Sequence, residues 1–379
     1  MDFRFSPEDE EFRREVRAFI QAELPKVRAG ESFTKKLAAK GWLTMSWPRE
    51  YGGQGAPHVR QLVYNEEMAY HRAPGQTMGA DRVGPTLILF GTEEQKARFL
   101  PAIERDEVAW CQGFSEPGSG SDLASLQTRA VRDGDCWVIN GQKIWTSNAQ
   151  RADFMILLAR TDPDAPKHRG ITYFLVDMRL PGISVRPLVQ MTGQAGFNEV
   201  FFDDVRVPAD MVVGEVNRGW YVSTATLDFE RSGIGRVIGG LRTFEEVVGY
   251  AKATPARDGG EGSLYDRPAI RLALADIALG FAVGRLLSYR VAWMQSKGLV
   301  PNYEASMAKT FGTELHQRMA RTALTTLGLR GQLLGGEWAP LDGQVPMAVL
   351  QTVSLTIAAG TSEINRNIIA TRGLGLPRG

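Results

Sequence analysis

The spacing of apolar residues changes twice along the chain, and these two changes constrain the fold more than any single motif does. Up to about residue 107, and again beyond about residue 212, apolar side chains recur every three or four positions, the period of a helix with one buried face. In "SPEDEEFRREVRAFI", Ser6 is a helix N-cap, Pro7 takes the first helical position and acids fill the first turn; Phe12, Val16, Phe19 and Ile20 follow on one side. "TEEQ", Thr92 to Gln95, has the pattern of a capping box ahead of Phe99 and Leu100. Between these segments lies the Gly/Pro-rich loop "WPREYGGQGAP".

From about 108 to 212 the texture is that of short strands. "TRAVRDGDCWVINGQKIWTS" alternates and carries two hairpin signals, Asp133-Gly134 and Asn140-Gly141. "FMILLA", "ITYFLVDM", "ISVRPLV" and "NEVFFDDVRVP" are β-rich runs separated by turn residues, which predicts a small barrel or sandwich. After Gly219 longer helices are predicted near 220–253, 268–297, 303–328 and 345–358, with a last one after Gly360. The chain therefore reads as multidomain α+β: an N-terminal all-α domain over 1–107, a middle β-barrel domain over 108–212 and a C-terminal helical bundle over 213–379.

Bulk composition narrows the function classes. Hydrophobic residues make up 43% of 379, ample for sizeable cores. The 44 basic residues balance the 43 acidic ones, so neither nucleic acid nor an anionic membrane is expected as the main partner. The apolar run "LALADIALGFAVG" is interrupted by Asp276 and is too short to span a bilayer. The opening "MDFRFSPEDE" is acidic rather than leader-like, and the two cysteines, Cys111 and Cys136, suit a reducing compartment; a soluble cytoplasmic protein is expected. His58, His71, His168 and His316 are scattered, so no metal site is expected. "GIGRVIGG" at 233–240 fails the dinucleotide fingerprint, because Ile238 stands at the third glycine and no strand precedes it.

Three stretches are left as carriers of chemistry. In "WCQGFSEPGSGSD" the small residues between Phe114 and Asp122 either make a plain helix-to-strand connection or leave backbone N–H groups bare to a flat or anionic ligand, with Ser115, Ser119 and Ser121 adding hydroxyls. In "KIWTSNA", Trp145 is either a core residue or an aromatic face beside two hydroxyls. In "TLDFERSGIG", helical spacing puts Glu230 on one face with Leu227, Ile234, Val237 and Leu241, and none of its i±3 or i±4 neighbours is basic. A buried carboxylate of that kind has either a distant structural partner or a chemical task.

Taken together, "EPGSGSD", "GQKIWTSNA" and "GTSEINRNIIATRGLGLP" resemble, in order and spacing, the signatures of the acyl-CoA dehydrogenase family, and the resemblance covers essentially the whole chain. The resemblance implies a helical domain, a β-barrel and a four-helix bundle. It also implies FAD, an acyl-CoA thioester oxidised to the trans-2-enoyl product, and an electron-transferring flavoprotein as acceptor. By the same resemblance Phe114 and Ser115 meet the flavin ring, Trp145 packs against it with Ser147 near N5, and Thr361 and Glu363 lie near the pyrophosphate and adenosine end. Ser121, Asp228 and Arg231 are implied on the substrate side.

Many family members carry the catalytic glutamate just before the Gly-Thr of the last signature, where "TIAAGTSE" has Ala359. Others carry it on the first helix of the C-terminal domain, immediately before an arginine, and Glu230-Arg231 matches that arrangement. The resemblance thus makes Glu230 the α-proton base and leaves Ala359 its backbone N–H for the thioester oxygen. The segments "ARDGGEGSLYDRPAIR" and "TTLGLRGQLLGGEW" depart from the family's cross-subunit FAD contacts. Similar departures occur in members built from two different subunits. The assembly implied is a homo-oligomer, dimer or tetramer, or a heterotetramer with a related chain; the alternative to an enzyme is an FAD-binding or non-catalytic partner subunit. The acyl group is not legible.

Overall fold

The computed structural model describes residues 3–27, 31–231, 233–256 and 261–377, with the main chain alone for 227–231. Helices α1 (Pro7–Val27), α2 (Phe33–Ala39), α3 (His58–Tyr70), α4 (Gly84–Phe90) and α5 (Glu93–Glu104) come first. Strands follow: β1 (Trp110–Gly113), β2 (Arg129–Asp133), β3 (Cys136–Lys143), β4 (Phe154–Arg160), β5 (Ile171–Asp177), β6 (Ile183–Leu188), β7 (Phe197–Pro208) and β8 (Val212–Val213). Helices α6 (Gly219–Arg231), α7 (Gly235–Ile238), α8 (Leu241–Ala253), α9 (Pro268–Ser296), α10 (Tyr303–Leu327), α11 (Gln344–Thr352) and α12 (Ser362–Ile368) complete the described chain. The helical, β, helical order is the one that the two changes of period predict.

Contacts divide the chain into two compact units. The first comprises Ser32–Ala56 and Gly75–Glu230. Its eight-stranded sheet runs β6-β7-β3-β2-β4-β5-β8, with β1 beside β4 in parallel. β4 and β5 are buried on both faces from Met155 to Ala159 and from Ile171 to Val176, which is why both read as continuous apolar runs rather than as alternation. The Thr92 capping box forms as expected, and the Gln95 side chain then donates to the carbonyls of Asp210 and Val212 at 2.6 and 2.8 Å, fastening α5 to the strand end. One of the two hairpin signals is a hairpin: β2 and β3 pair antiparallel and turn at Gly134-Asp135. The other is not. Asn140-Gly141 lies inside β3, where the pairing with β7 shifts register between Ile139 and Gly141. Gly141 has φ 148°, and a Cβ there would meet the Thr128 backbone at 2.7 Å, so the glycine serves a bulge and a close approach instead of a turn.

The second unit comprises Met1–Glu31, Pro57–Pro74 and Arg231–Gly379. Ser6 accepts from the Asp9 N–H at 3.1 Å and opens α1. Leu62 of α3, Val237 of α7, Phe244 and Val247 of α8, Leu274, Ile277 and Phe281 of α9 and Leu315 and Met319 of α10 form one apolar core. The single helix predicted over 220–253 is broken into α6, α7 and α8. Gly233, Gly235, Gly239 and Gly240 crowd the breaks and forfeit too much helix propensity for a continuous rod. The stretch from Leu227 to Leu241 is thus not one continuous helix, and the side chains of Leu227 and Glu230, on which the apolar stripe was traced, lie outside the described residues. α7 is instead held by His316 of α10, whose Nε2 lies 2.9 Å from the Val237 carbonyl. Burial keeps that imidazole below its ordinary pKa and hence neutral at pH 7.

Two buried carboxylates on α3 tie α1 to the same unit. Glu66 accepts from Arg13 at 2.9 Å and from the Tyr289 hydroxyl at 3.0 Å, and Glu67 accepts from Arg17 at 2.9 and 3.0 Å. Burial alone would raise the Glu67 pKa, but Arg17 and Arg13 outweigh it and hold the carboxyl below 4.5. A depressed carboxyl contributes stability that is present above 4.5 and is lost as pH falls through the folded value. The melting temperature should therefore fall below about pH 4.5 more steeply in the wild type than in Glu67→Gln, as read by circular dichroism across pH. Parallel profiles would remove Glu67 from the acid response.

Candidate active site

The glycine-rich segment after β1 is built around a buried ion pair. Glu116 and Ser119 exchange backbone hydrogen bonds at 2.9 and 3.0 Å, which makes Pro117-Gly118 the middle of a tight turn. The Glu116 carboxylate points inward, accepting from the Gln127 and Thr128 N–H groups at 2.7 and 2.8 Å and from Lys143 Nζ at 2.8 Å. Lys143 is 0% exposed and gives a second hydrogen bond to the Phe114 carbonyl at 3.1 Å. Burial pulls the ammonium down to about 8 against the attraction of Glu116, so it stays charged at neutral pH. Burial acts to raise Glu116, yet Lys143 and the two amide donors outweigh it and keep the carboxyl below its ordinary value. At Gly118 and Gly120 an added Cβ would meet no atom within 4 Å, so these glycines leave the backbone bare to open space rather than to packing. Ser121 is exposed, and the adjacent Asp122 pairs with Lys167.

The "IWTSN" run lies against this segment. Ile144 N–H donates to the Ser115 carbonyl at 2.9 Å, Thr146 N–H to Asn198 at 3.0 Å and Asn148 N–H to Gly196 at 2.8 Å. The intervening N–H groups of Trp145 and Ser147 have no hydrogen-bond partner among the described residues, and neither do the hydroxyls of Ser115 and Ser147. Trp145 is 59% exposed, so the reading of it as a core residue fails. Its φ of 60° is left-handed, a conformation that costs a side chain with a Cβ on the order of 1–2 kcal/mol. Phe114 is the core residue of the pair: it is buried with its ring edge-on to Tyr173, so its backbone alone can face a ligand. Phe114, Ser115, Trp145 and Ser147 are thus brought together. The result is an exposed indole, two unpaired hydroxyls, two unpaired amide donors and a bare glycine turn. A flat aromatic ring system with acceptors along its edge, such as an isoalloxazine, fits this set.

The remaining expected residues fall elsewhere. Glu230, Asp228 and Arg231 belong to α6, but their side chains lie outside the described residues. Ala359 and Gly360 are consecutive left-handed residues, φ 56° and 82°. The turn they make is pinned by the buried Lys309, which donates to the Gly360 carbonyl at 2.6 Å, and by Asn365, which donates to the carbonyls of Gly360 and Thr361 at 2.8 and 2.9 Å. The half-buried Ala359 has an N–H with no partner among the described residues. The Thr361 hydroxyl caps α12 by accepting from Ile364 N–H at 3.2 Å. Glu363 is exposed, and its own backbone N–H, then the Thr361 hydroxyl, hold its carboxyl below the usual value. An anionic ligand at this helix start would share the amide donors with that carboxylate.

Sequence reasoning missed Lys143, Glu116 and Lys309. Lys143 carried a signal, because two-residue alternation puts it on the same face as Trp137 and Ile139, and a lysine on a buried strand face needs a counter-charge. The left-handed backbone at Trp145 is testable by itself: Trp145→Gly should be about 1 kcal/mol more stable to urea than Trp145→Ala. Equal stabilities, or Ala ahead of Gly, would mean that the backbone is not strained there.

Comparison with known proteins accords with this geometry. Family models of the acyl-CoA dehydrogenase N-terminal, middle and C-terminal domains match residues 6–107, 111–205 and 217–374. Acyl-CoA dehydrogenase IpdE1 of Mycobacterium tuberculosis is 41% identical over 355 residues, 92% of this chain and 88% of that one. Acyl-CoA dehydrogenase FadE26 of the same organism is 37% identical over 403 residues, 100% and 99% of the two chains. Among solved structures, the Tcur3481-Tcur3483 steroid ACAD superposes with a TM-score of 0.90 at 37% identity over 100% of both chains. The ChsE4-ChsE5 complex from Mycobacterium tuberculosis does so at 0.89, with the same identity and coverage. With relatives this similar over nearly its full length, the chain belongs to the acyl-CoA dehydrogenase family of oxidoreductases.

Proposed function

We propose that the protein is an FAD-dependent enzyme that oxidises an acyl-CoA thioester to the trans-2-enoyl thioester. The observation that carries this reading is the exposed Trp145 ring flanked by the N–H groups of Trp145 and Ser147 and the hydroxyls of Ser115 and Ser147, none of which has a partner among the described residues. Phe114, Ser115, Trp145 and Ser147 would hold the flavin ring, and Thr361 and Glu363 its pyrophosphate and adenosine end. When bound, FAD supplies a hydride acceptor for the β-carbon.

The chain itself handles the proton. Glu230, placed by resemblance immediately before Arg231 on α6, takes it from the α-carbon; in a water-poor site its carboxylate would be the stronger base. The Ala359 N–H receives the thioester oxygen, favouring the enolate-like state in which charge develops. Ser121, Asp228 and Arg231 bind the substrate on its CoA side. The domains act as 1–107, 108–212 and 213–379, in the cytoplasm, with an electron-transferring flavoprotein as acceptor. The solved relative described as a steroid ACAD favours a bulky acyl group over a plain fatty chain.

Anaerobic bleaching of the flavin by a panel of acyl-CoA thioesters, short to steroid-sized, tests the reading. Bulky thioesters should bleach it without forming peroxide; no bleaching by any of them would reject the activity. Glu230→Gln should bind FAD and substrate but reduce the flavin about two to four orders of magnitude more slowly. Near-normal reduction would remove Glu230 from the chemistry. A second reading, a partner subunit in a heterotetramer, is favoured by Ala359, by the altered 256–271 segment and by relatives solved as two-component complexes. A preparation that stays colourless with added FAD would select it over a homo-oligomeric enzyme.

A further inference from the structure

We infer that Lys143 and Glu116 are positioning residues for the cofactor site, setting the spacing between the two segments that present donors to it. This rests on the flavin reading given above. The pair sits where the two segments meet: Lys143 grips the Phe114 carbonyl and Glu116 at 3.1 and 2.8 Å, and the next residue, Ile144, donates to the Ser115 carbonyl at 2.9 Å. Glu116 in turn takes the Gln127 and Thr128 N–H groups, which ties the entry of β2 to the same point. One ammonium and one carboxylate thus bind three stretches of main chain.

Stability alone does not account for such a pair. Two ions removed from water lose hydration that their mutual attraction scarcely repays, and apolar side chains of the same volume often serve a core as well or better. An apolar pair, however, cannot fix where the Phe114 carbonyl lies. With that carbonyl and the Ser115 carbonyl engaged inward, the unpaired groups of Ser115, Trp145 and Ser147 are left on residues that are themselves partly or well exposed. A shift of the two segments would change the distances between those donors before it unfolded the sheet. Supporting groups of this kind act through the residues that touch the ligand, without touching it themselves.

The test replaces both partners together, because removing one strands a buried charge. Lys143→Met/Glu116→Gln is compared with wild type and with Leu158→Ala, which opens a cavity at a fully buried position of β4. Melting of the FAD-free protein, the Kd for FAD and the visible spectrum of the bound flavin are measured for each. The double variant should melt cooperatively, bind FAD about 10- to 100-fold more weakly, as misplacing one or two of the hydrogen bonds to the ring would give, and show shifted flavin bands. Leu158→Ala should melt lower with the wild-type Kd and spectrum. If the double variant is insoluble, Glu116→Asp, which keeps the charge but withdraws the carboxylate by one methylene, is read by the Kd and the spectrum, and both should shift in the same direction. A wild-type Kd and spectrum in the double variant would overturn the inference and leave the flavin reading intact. A wild type that takes up no FAD would overturn both.

Discussion

A lysine ammonium with no exposure to water is the constraint on which the candidate site depends. Lys143 is compensated by one carboxylate and one carbonyl, and both belong to the segment that runs from β1 into the glycine turn. Since an unpaired buried charge is among the costliest defects a core can hold, the position of Lys143 at the end of β3 dictates where Phe114, Ser115 and Glu116 must lie. The two segments that resemble separate signatures in the sequence are, physically, one hydrogen-bonded object.

Two of the expected residues, one in each unit, have backbone held away from its comfortable range. Trp145 and Ala359 are both left-handed without being glycine, and each belongs to a short segment with an amide donor that nothing in the described chain accepts. Strain of this sort persists only where the surroundings over-determine the conformation. At Ala359 the surroundings are Lys309 and Asn365 on the following carbonyls; at Trp145 they are the flanking amide bonds to Ser115 and Asn198. In the proposed reading, turns of this kind, whose N–H groups have no partner among the described residues, are economical devices for aiming donors at a ligand. They present the main chain, whose position no side-chain rotamer can blur.

Much of the architecture was legible because it is local. The Ser6 and Thr92 caps, the 3.6-residue stripes of α1, α9 and α10 and the β-rich runs of β4 and β5 are all decided within a dozen residues of chain. The errors arose where one local signal had two physical uses. Asn140-Gly141 satisfies the rule for a tight hairpin, but the same glycine also allows a bulge beside Thr128, and that alternative is chosen by the pairing with β7 more than fifty residues away. The glycines of 233–240 do not make a dinucleotide loop, and together they interrupt a run whose apolar spacing by itself reads as one helix. For Glu230 the sequence remains the source of the assignment.

Residue identity and order determined by themselves the family, the alternation of helical and strand segments and the chemical types available at the site. These are properties of nearest neighbours and of motif spacing. Tertiary structure alone decided that Trp145 stands in solvent while Phe114 is buried, that Lys143 and Glu116 find each other, and that particular N–H groups have no partner among the described residues. Each of these depends on which distant segment competes for the same hydrogen bond or the same apolar space. A linear sequence states the candidates for that competition, and only packing settles it.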